Sequence, residues 1–355
     1  VFQLLEYGKI DYVILTGSTE PQYIRDFIHL NHRCVQLGIP CLTSLDTANA
    51  LTDILASRYN QTNTELIDIC HLRTERQQLP FAKMQTCGND YIFLENFNGE
   101  ITCPESLCVT FCDRHYGVGA DGIVLMERSR KADAKMIMYN ADGSRGAMAG
   151  NALRCMAKYL YDNNIVRKDA MTIETDTGVK TVEVYTTNGK VTSATVDMGY
   201  ATLDTTALHL NLPEKEIVGY PVTIGEKEYA ITCVDMGNPH CVVFCPRVDG
   251  VDVEHVGPQF EHAPYFPDRV NTEFIRVVNK NTIKMRVWER GSGETLACGS
   301  GACAAVVAAV AGGHCSKGSD VTVKVRGGDL VVNYTDDKVT LTGDAKLVYM
   351  GQAEY

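Results

Sequence analysis

The sequence predicts an α/β (α+β) protein: two pseudo-symmetric halves behind a short N-terminal segment of parallel α/β structure. Three observations point there. Strand-like and helix-like runs alternate through residues 10–59. Beyond them, a single shift of 149 positions brings four separate segments into register without a gap. In both copies of that repeat, a strand-like run is followed by a glycine-rich turn and an alanine-rich helix.

Taken in order, residues 10–15 read as a short buried strand, 21–37 as an amphipathic helix, 39–43 as a second strand and 45–59 as a second helix. Residues 65–79 begin apolar and turn polar, as a linker does. This places one segment at 1–75 and the two halves at 80–205 and 206–355. Under the 149-residue shift, Cys87-Gly88-Asn89 lies over Met236-Gly237-Asn238, and Lys135-Met136 over Lys284-Met285. Ala149-Gly150 then lies over Cys298-Gly299, and the helices expected at 151–162 and 300–311 coincide. Each half thus presents a glycine-rich turn and a helix N-terminus toward a shared cleft.

Composition narrows the function. A chain of 355 residues with 45% hydrophobic residues can bury sizeable cores in two or three domains. Its net charge of −11 and pI near 5.3, with no dense block of lysine and arginine, argue against nucleic acid and anionic membrane as partners. The small-residue stretch 301–313 falls short of the ~20 residues that span a bilayer. The chain opens Val-Phe-Gln without a signal-like segment or an initiator methionine, and reads as a fragment or processed product from a cytoplasmic protein. Its 14 cysteines are scattered, several in apolar runs, which fits a reduced compartment. No Cys-x2-Cys pair occurs, and the nearest spacings (Cys108/Cys112, Cys241/Cys245, Cys298/Cys303) do not argue for a metal.

The repeat suits one kind of chemistry. Helix N-termini leave about four backbone N–H groups unpaired, so two of them converging on a cleft can hold a carboxylate. A cysteine placed there, as Cys298 is, is expected to have its thiolate stabilised. Inverting an α-carbon needs a base on one face and an acid on the other, and pseudo-symmetric halves supply opposite faces. Plainer readings stand beside each assignment. An asparagine after glycine is commonly a turn residue, Glu289-Arg290 taken alone is a surface pair, and His240 alone is a core histidine. The repeat sets Glu289 opposite Asn140, which favours the cleft. Cys155 and Cys303 lie inside their helices and read as packed small hydrophobes.

The runs MQTCGNDYIF (84–93), DRHYGVGADG (113–122), YNADGSRGAMAGNALRC (139–155), MGNPHC (236–241), RVN (269–271) and WERGSGETLACGSGACAA (288–305) together resemble the diaminopimelate epimerase family across residues 80–355. The resemblance implies a mixed sheet wrapped around a central helix in each half, and inversion of LL-2,6-diaminopimelate to the meso isomer in lysine and cell-wall precursor synthesis. It implies two cysteines as acid and base and no cofactor. By position, Cys298 is one of those thiols, and the other belongs at Ala149, where this chain has no proton to give or take. Asn89, Asn140, Asn238 and Asn271 are then expected to bind substrate, with Glu289, Arg290, Gly150, Asn151, Gly299 and Ser300 completing the pocket. His240 and Glu289 are expected to support proton transfer, and Tyr349 to lie at a homodimer contact. A related cysteine-pair racemase for proline-like acids and a non-catalytic diaminopimelate-binding protein are the other readings. Within residues 1–75, GKIDYVILTGS and IPCLTSLDTANAL resemble the end of the regulatory domain of the carbamoyl-phosphate synthase large subunit, without that domain's opening strands.

Overall fold

The structure, a computed structural model, describes residues 2–15, 21–56, 78–146 and 148–354. The chain divides into two compact units, Val1–Arg76 and Gln77–Tyr355.

In the first unit the helices Phe2–Glu6, Pro21–Leu37 and Leu45–Ala56 accompany a two-stranded parallel sheet, with Val13 opposite Cys41 and Ile14 opposite Leu42. The strands are shorter than the 10–15 and 39–43 expected. Among the described residues each has a single neighbour, so ladder pairing ends where that neighbour turns away. Leu5, Val13 and Cys34 form a small buried cluster, and Arg33 pairs with Glu6 at 2.7 Å. Residues 57–59 of the expected second helix and 65–77 of the expected linker lie outside the described residues. Gln78 and Leu79 are not linker but open the strand Gln78–Thr86.

The second unit is one mixed sheet closed into a barrel around two helices, Gly150–Asp162 and Gly299–Ala311. Most pairings are antiparallel, while each half has two parallel pairs: Asn89–Glu95 with Gly122–Glu127 and Ala134–Asn140 with Ala170–Thr175, then Pro239–Phe244 with Asn271–Asn279 and Thr282–Glu289 with Asp320–Val325. The second helix is apolar on every side because the sheet covers every side: residues 301–309 are all buried. The sequence repeat extends to element boundaries. Helix Pro104–Cys112 maps onto Val253–Glu261 under the same shift, as Gly150–Asp162 maps onto Gly299–Ala311.

The halves also share backbone. Lys190–Gly199 pairs antiparallel with Val339–Asp344, and the last strand, Lys346–Glu354, pairs with Gln78–Thr86 of the first half. The C-terminal residues therefore complete the N-terminal half, as a cut at 205 and 206 does not convey. The turn at Cys87, which has a positive φ of 50°, leads into Asn89 and packs against a second turn at Gly327. A Cβ at Gly327 would stand 1.6 Å from the Cys87 carbonyl oxygen, a backbone atom that cannot rotate aside. Gly327→Ala is expected to cost about 1–3 kcal/mol by overpacking, read as a lower urea midpoint with the slope unchanged.

Candidate active site

Both central helices begin at one cavity of about 1190 Å³. The N-terminal half lines it with Asn89, Asn140, Ala149, Gly150 and Asn151, and the C-terminal half with Asn238, Glu289, Cys298, Gly299 and Ser300. One side chain shows how near the two helix starts are. A Cβ at Gly150 would lie 3.5 Å from Leu341 Cδ2, and one at Gly299 3.0 Å from the same atom. Unpaired N–H groups of two first turns, each carrying partial positive charge, thus meet in one space.

At the C-terminal helix the N-cap is Cys298, whose Sγ accepts from the Gly301 N–H at 3.4 Å and lies 3.6 Å from Ser300 Oγ. The Glu289 carboxyl, whose charge acts on this thiol, lines the same cavity. At the N-terminal helix the N-cap is Ala149, with no side-chain cap. Its backbone, at φ −133° and ψ 124°, nearly repeats the −122° and 118° of Cys298. The two N-caps therefore share a backbone geometry and differ in side chain, a thiol at 298 and a methyl at 149.

The thiolate expected at Cys298 is not what this environment favours. Burial pushes the Cys298 thiol well above its usual range, the Glu289 and Glu273 carboxylates add to the rise, and the Ser300 and Gly301 contacts offset only part of it. Desolvation outweighs the helix end here because the thiol is 6% exposed and faces two acids. Burial likewise raises the Glu289 carboxyl, against the hydrogen bond from Thr295. Cys155 and Cys303, fully buried inside their helices, are pushed up to about 12 by desolvation.

The asparagines are held by protein partners. Asn89 donates to Asp121 at 2.7 Å and accepts from Asn151 at 3.1 Å, and Asn151 in turn accepts from Arg154 at 2.8 Å. Asn140 donates to Ser144 Oγ at 3.0 Å. Asn238 meets His240 Nε2 through its Oδ1 at 3.1 Å. His240 and Asn271 sit behind the cavity wall. His240 is fully buried between Asn238 and Glu273, and Asn271 donates to the Pro239 carbonyl at 3.0 Å while accepting from the Arg290 N–H at 2.9 Å. The Arg290 guanidinium is outside the lining, donating to the Asp268 carbonyl at 3.0 Å. Tyr349 is distant in the fold, 43% exposed on the last strand with its ring edge-on to Phe81 at 5.8 Å.

Several supporting residues are not apparent from sequence patterns. Arg154, fully buried, ties Asn151 to Thr86. A lone arginine within a buried alanine-rich helix is the signal that could have found it. Tyr91 lines the cavity on the same strand as Asn89, two residues on, as His240 follows Asn238. The 149-residue shift places Tyr91 over His240, so the repeat contained that correspondence. Asp121 lies within DRHYGVGADG but its partner Asn89 is distant in sequence, and Glu273, whose partner His240 is similarly distant, falls in none of the motif runs.

The fold is one that solved structures of other proteins share. A hydroxyproline epimerase from Agrobacterium vitis matches with a TM-score of 0.60 at 13% identity, covering 79% of this chain and 93% of that one. A PhzF-family phenazine biosynthesis protein from Bacillus anthracis matches with a TM-score of 0.59 at 14% identity, covering 78% and 99%. These likenesses define the fold. The sequence defines the family: the chain belongs to the diaminopimelate epimerases, a family of isomerases, whose sequence model matches residues 81–203 and 232–355. A diaminopimelate epimerase from Desulfovibrio desulfuricans is 45% identical over 282 residues, covering 77% of this chain and 98% of its own length. One from Acetivibrio thermocellus is 43% identical over 276 residues, covering 77% and 98%.

Proposed function

We propose that the cavity binds 2,6-diaminopimelate and that the site is built for cofactor-independent inversion at its α-carbon, with one of the two acid/base groups missing in this chain. The observation that carries this reading is the matched pair of N-caps, Cys298 with a thiol and Ala149 without one, on helices that open into one cavity. The converging N–H groups suit the carboxylate at the reacting end, and Cys298, backed by Glu289, serves one face of the α-carbon. Cys298 then exchanges the α-proton of one stereoisomer with solvent, while net LL-to-meso conversion is low. Asn89, Asn140, Asn151 and Asn238 line the cavity as the polar groups that orient the substrate.

A second reading, a diaminopimelate-binding protein without turnover, is favoured by Ala149 itself. Calorimetric titration with meso- and LL-diaminopimelate tests what the two share. Binding is expected in the ~1 μM–1 mM range usual for small substrates, with none for proline or 4-hydroxyproline. Preference for the cyclic acids would instead indicate a proline-type racemase. Homodimerisation through the strand bearing Tyr349 and a cytoplasmic location belong to the same proposal. Sedimentation as a monomer would remove the dimer. The parallel strand pair with its flanking helices supports reading residues 1–75 as a remnant of a regulatory-type α/β domain.

A further inference from the structure

Glu273 is fully buried on the strand Asn271–Asn279, beside the cavity but outside its lining. Its Oε1 lies 2.7 Å from His240 Nδ1, and its Oε2 has no hydrogen-bond partner. It is wedged against the first turn of helix Gly299–Ala311, where a Cβ at Gly301 would come within 2.6 Å of Oε1. An ionised carboxylate with an orphaned oxygen in a dry core is costly, so the proton count around it matters.

The contacts set that count. The other imidazole nitrogen, Nε2, faces Asn238 Oδ1 at 3.1 Å. An amide oxygen only accepts, so Nε2 carries a hydrogen. The Nδ1 to Oε1 contact also needs a hydrogen, on either atom. The pair therefore holds two protons and no net charge, either as imidazolium with carboxylate or as neutral imidazole with carboxylic acid. Moving the shared proton between Nδ1 and Oε1 interconverts the two forms without changing that balance. Asn238 lines the cavity, and with its oxygen engaged by His240 its Nδ2 donor has no hydrogen-bond partner among the described residues.

We propose that Glu273 is a positioning residue: by holding a shared proton with His240 it keeps Nε2–H on Asn238 and so presents the Asn238 amide as a donor for a substrate carboxylate. Loss of one proton from the pair leaves the remaining one on Nδ1, hydrogen-bonded to the Glu273 carboxylate, and Nε2 bare, which invites Asn238 to flip and face the cavity with an acceptor. The first half has no such device. Under the 149-residue shift Val124 takes the place of Glu273, and Tyr91, a phenol, takes the place of His240. The groups facing Glu273 are His240, Cys241, Glu289 and Cys298, and of these only His240 is within hydrogen-bonding distance.

The proposal rests on the diaminopimelate reading for the ligand but not for the protons. In the full chain with 15N-labelled histidine, the His240 signal, assigned by its loss in His240→Gln, is expected to show a protonated Nε2 at pH 7. Glu273→Gln, whose amide can donate to Nδ1, is expected to keep that state and to keep diaminopimelate affinity within ~3-fold. Glu273→Leu removes the Nδ1 partner and is expected to weaken affinity at least ~10-fold, about 1.4 kcal/mol. A bare Nε2 in the unaltered chain, or unchanged affinity in Glu273→Leu, overturns the proposal. A protonated Nε2 in a chain that binds no diaminopimelate supports the proton arrangement and overturns the ligand reading instead.

Discussion

Ala149→Cys is expected to raise LL-to-meso conversion by ~10²–10⁴-fold or more, the usual contribution of a general acid/base group. The substitution restores a group where everything around it is already in place. The backbone at 149 has the extended N-cap conformation of Cys298, the helix behind it starts one residue later in both halves, and both starts open into the same cavity. One added sulfur can also accept from the first turn, as Cys298 accepts from the Gly301 N–H, so the fold is not expected to lose stability. Inversion needs a proton removed on one face and another delivered on the opposite face, so the second thiol changes the outcome as well as the rate. Conversion followed by NMR or by a coupled assay for the meso isomer checks it. Equal rates in the two proteins would sink the proposed division of roles.

Cys298→Ala is expected to abolish α-proton exchange, reducing deuterium uptake from D2O into bound diaminopimelate by at least ~10²-fold. Affinity is expected to change little, because the asparagines and both helix starts remain. In the unaltered chain, the exchange rate is expected to rise with pH, about tenfold per unit while the thiol remains mostly protonated. The sign follows from burial: the thiol is held above its usual range, so the thiolate that removes the proton is scarce at neutral pH and grows as pH increases. A rate that is flat from pH 7 upward would point to a base other than Cys298.

Much of this site is legible in the amino-acid sequence. The repeat places Ala149 over Cys298, and the paired glycine turns and alanine-rich helices locate both ends of the cavity, because local patterns determine where helices begin. The asparagines that line the cavity follow from the same register and from family motifs. Less legible are the residues that hold them. Asp121 and Asn151 on Asn89, Arg154 on Asn151 and Glu273 on His240 are contacts between strands and helices that only folding brings together.

Tertiary contacts set four features that a reading along the chain does not give. Cys298 sits at a helix N-terminus as expected, but burial beside two acids reverses the direction expected for its thiol. His240 touches Asn238 and Glu273 rather than the cavity, and the Arg290 side chain is turned to a backbone carbonyl outside it. The last strand pairs with the first strand of the opposite half, a register invisible to a pattern read along the chain. By itself, the sequence determined the two-half fold, the alignment of Ala149 with Cys298 and the polar groups of the cavity, because spacing and repeat are properties of the chain. Tertiary structure alone decided which charges face Cys298, how the Asn238 amide is turned and where the halves interlock, because desolvation and hydrogen-bond partnership depend on neighbours that the chain order does not specify.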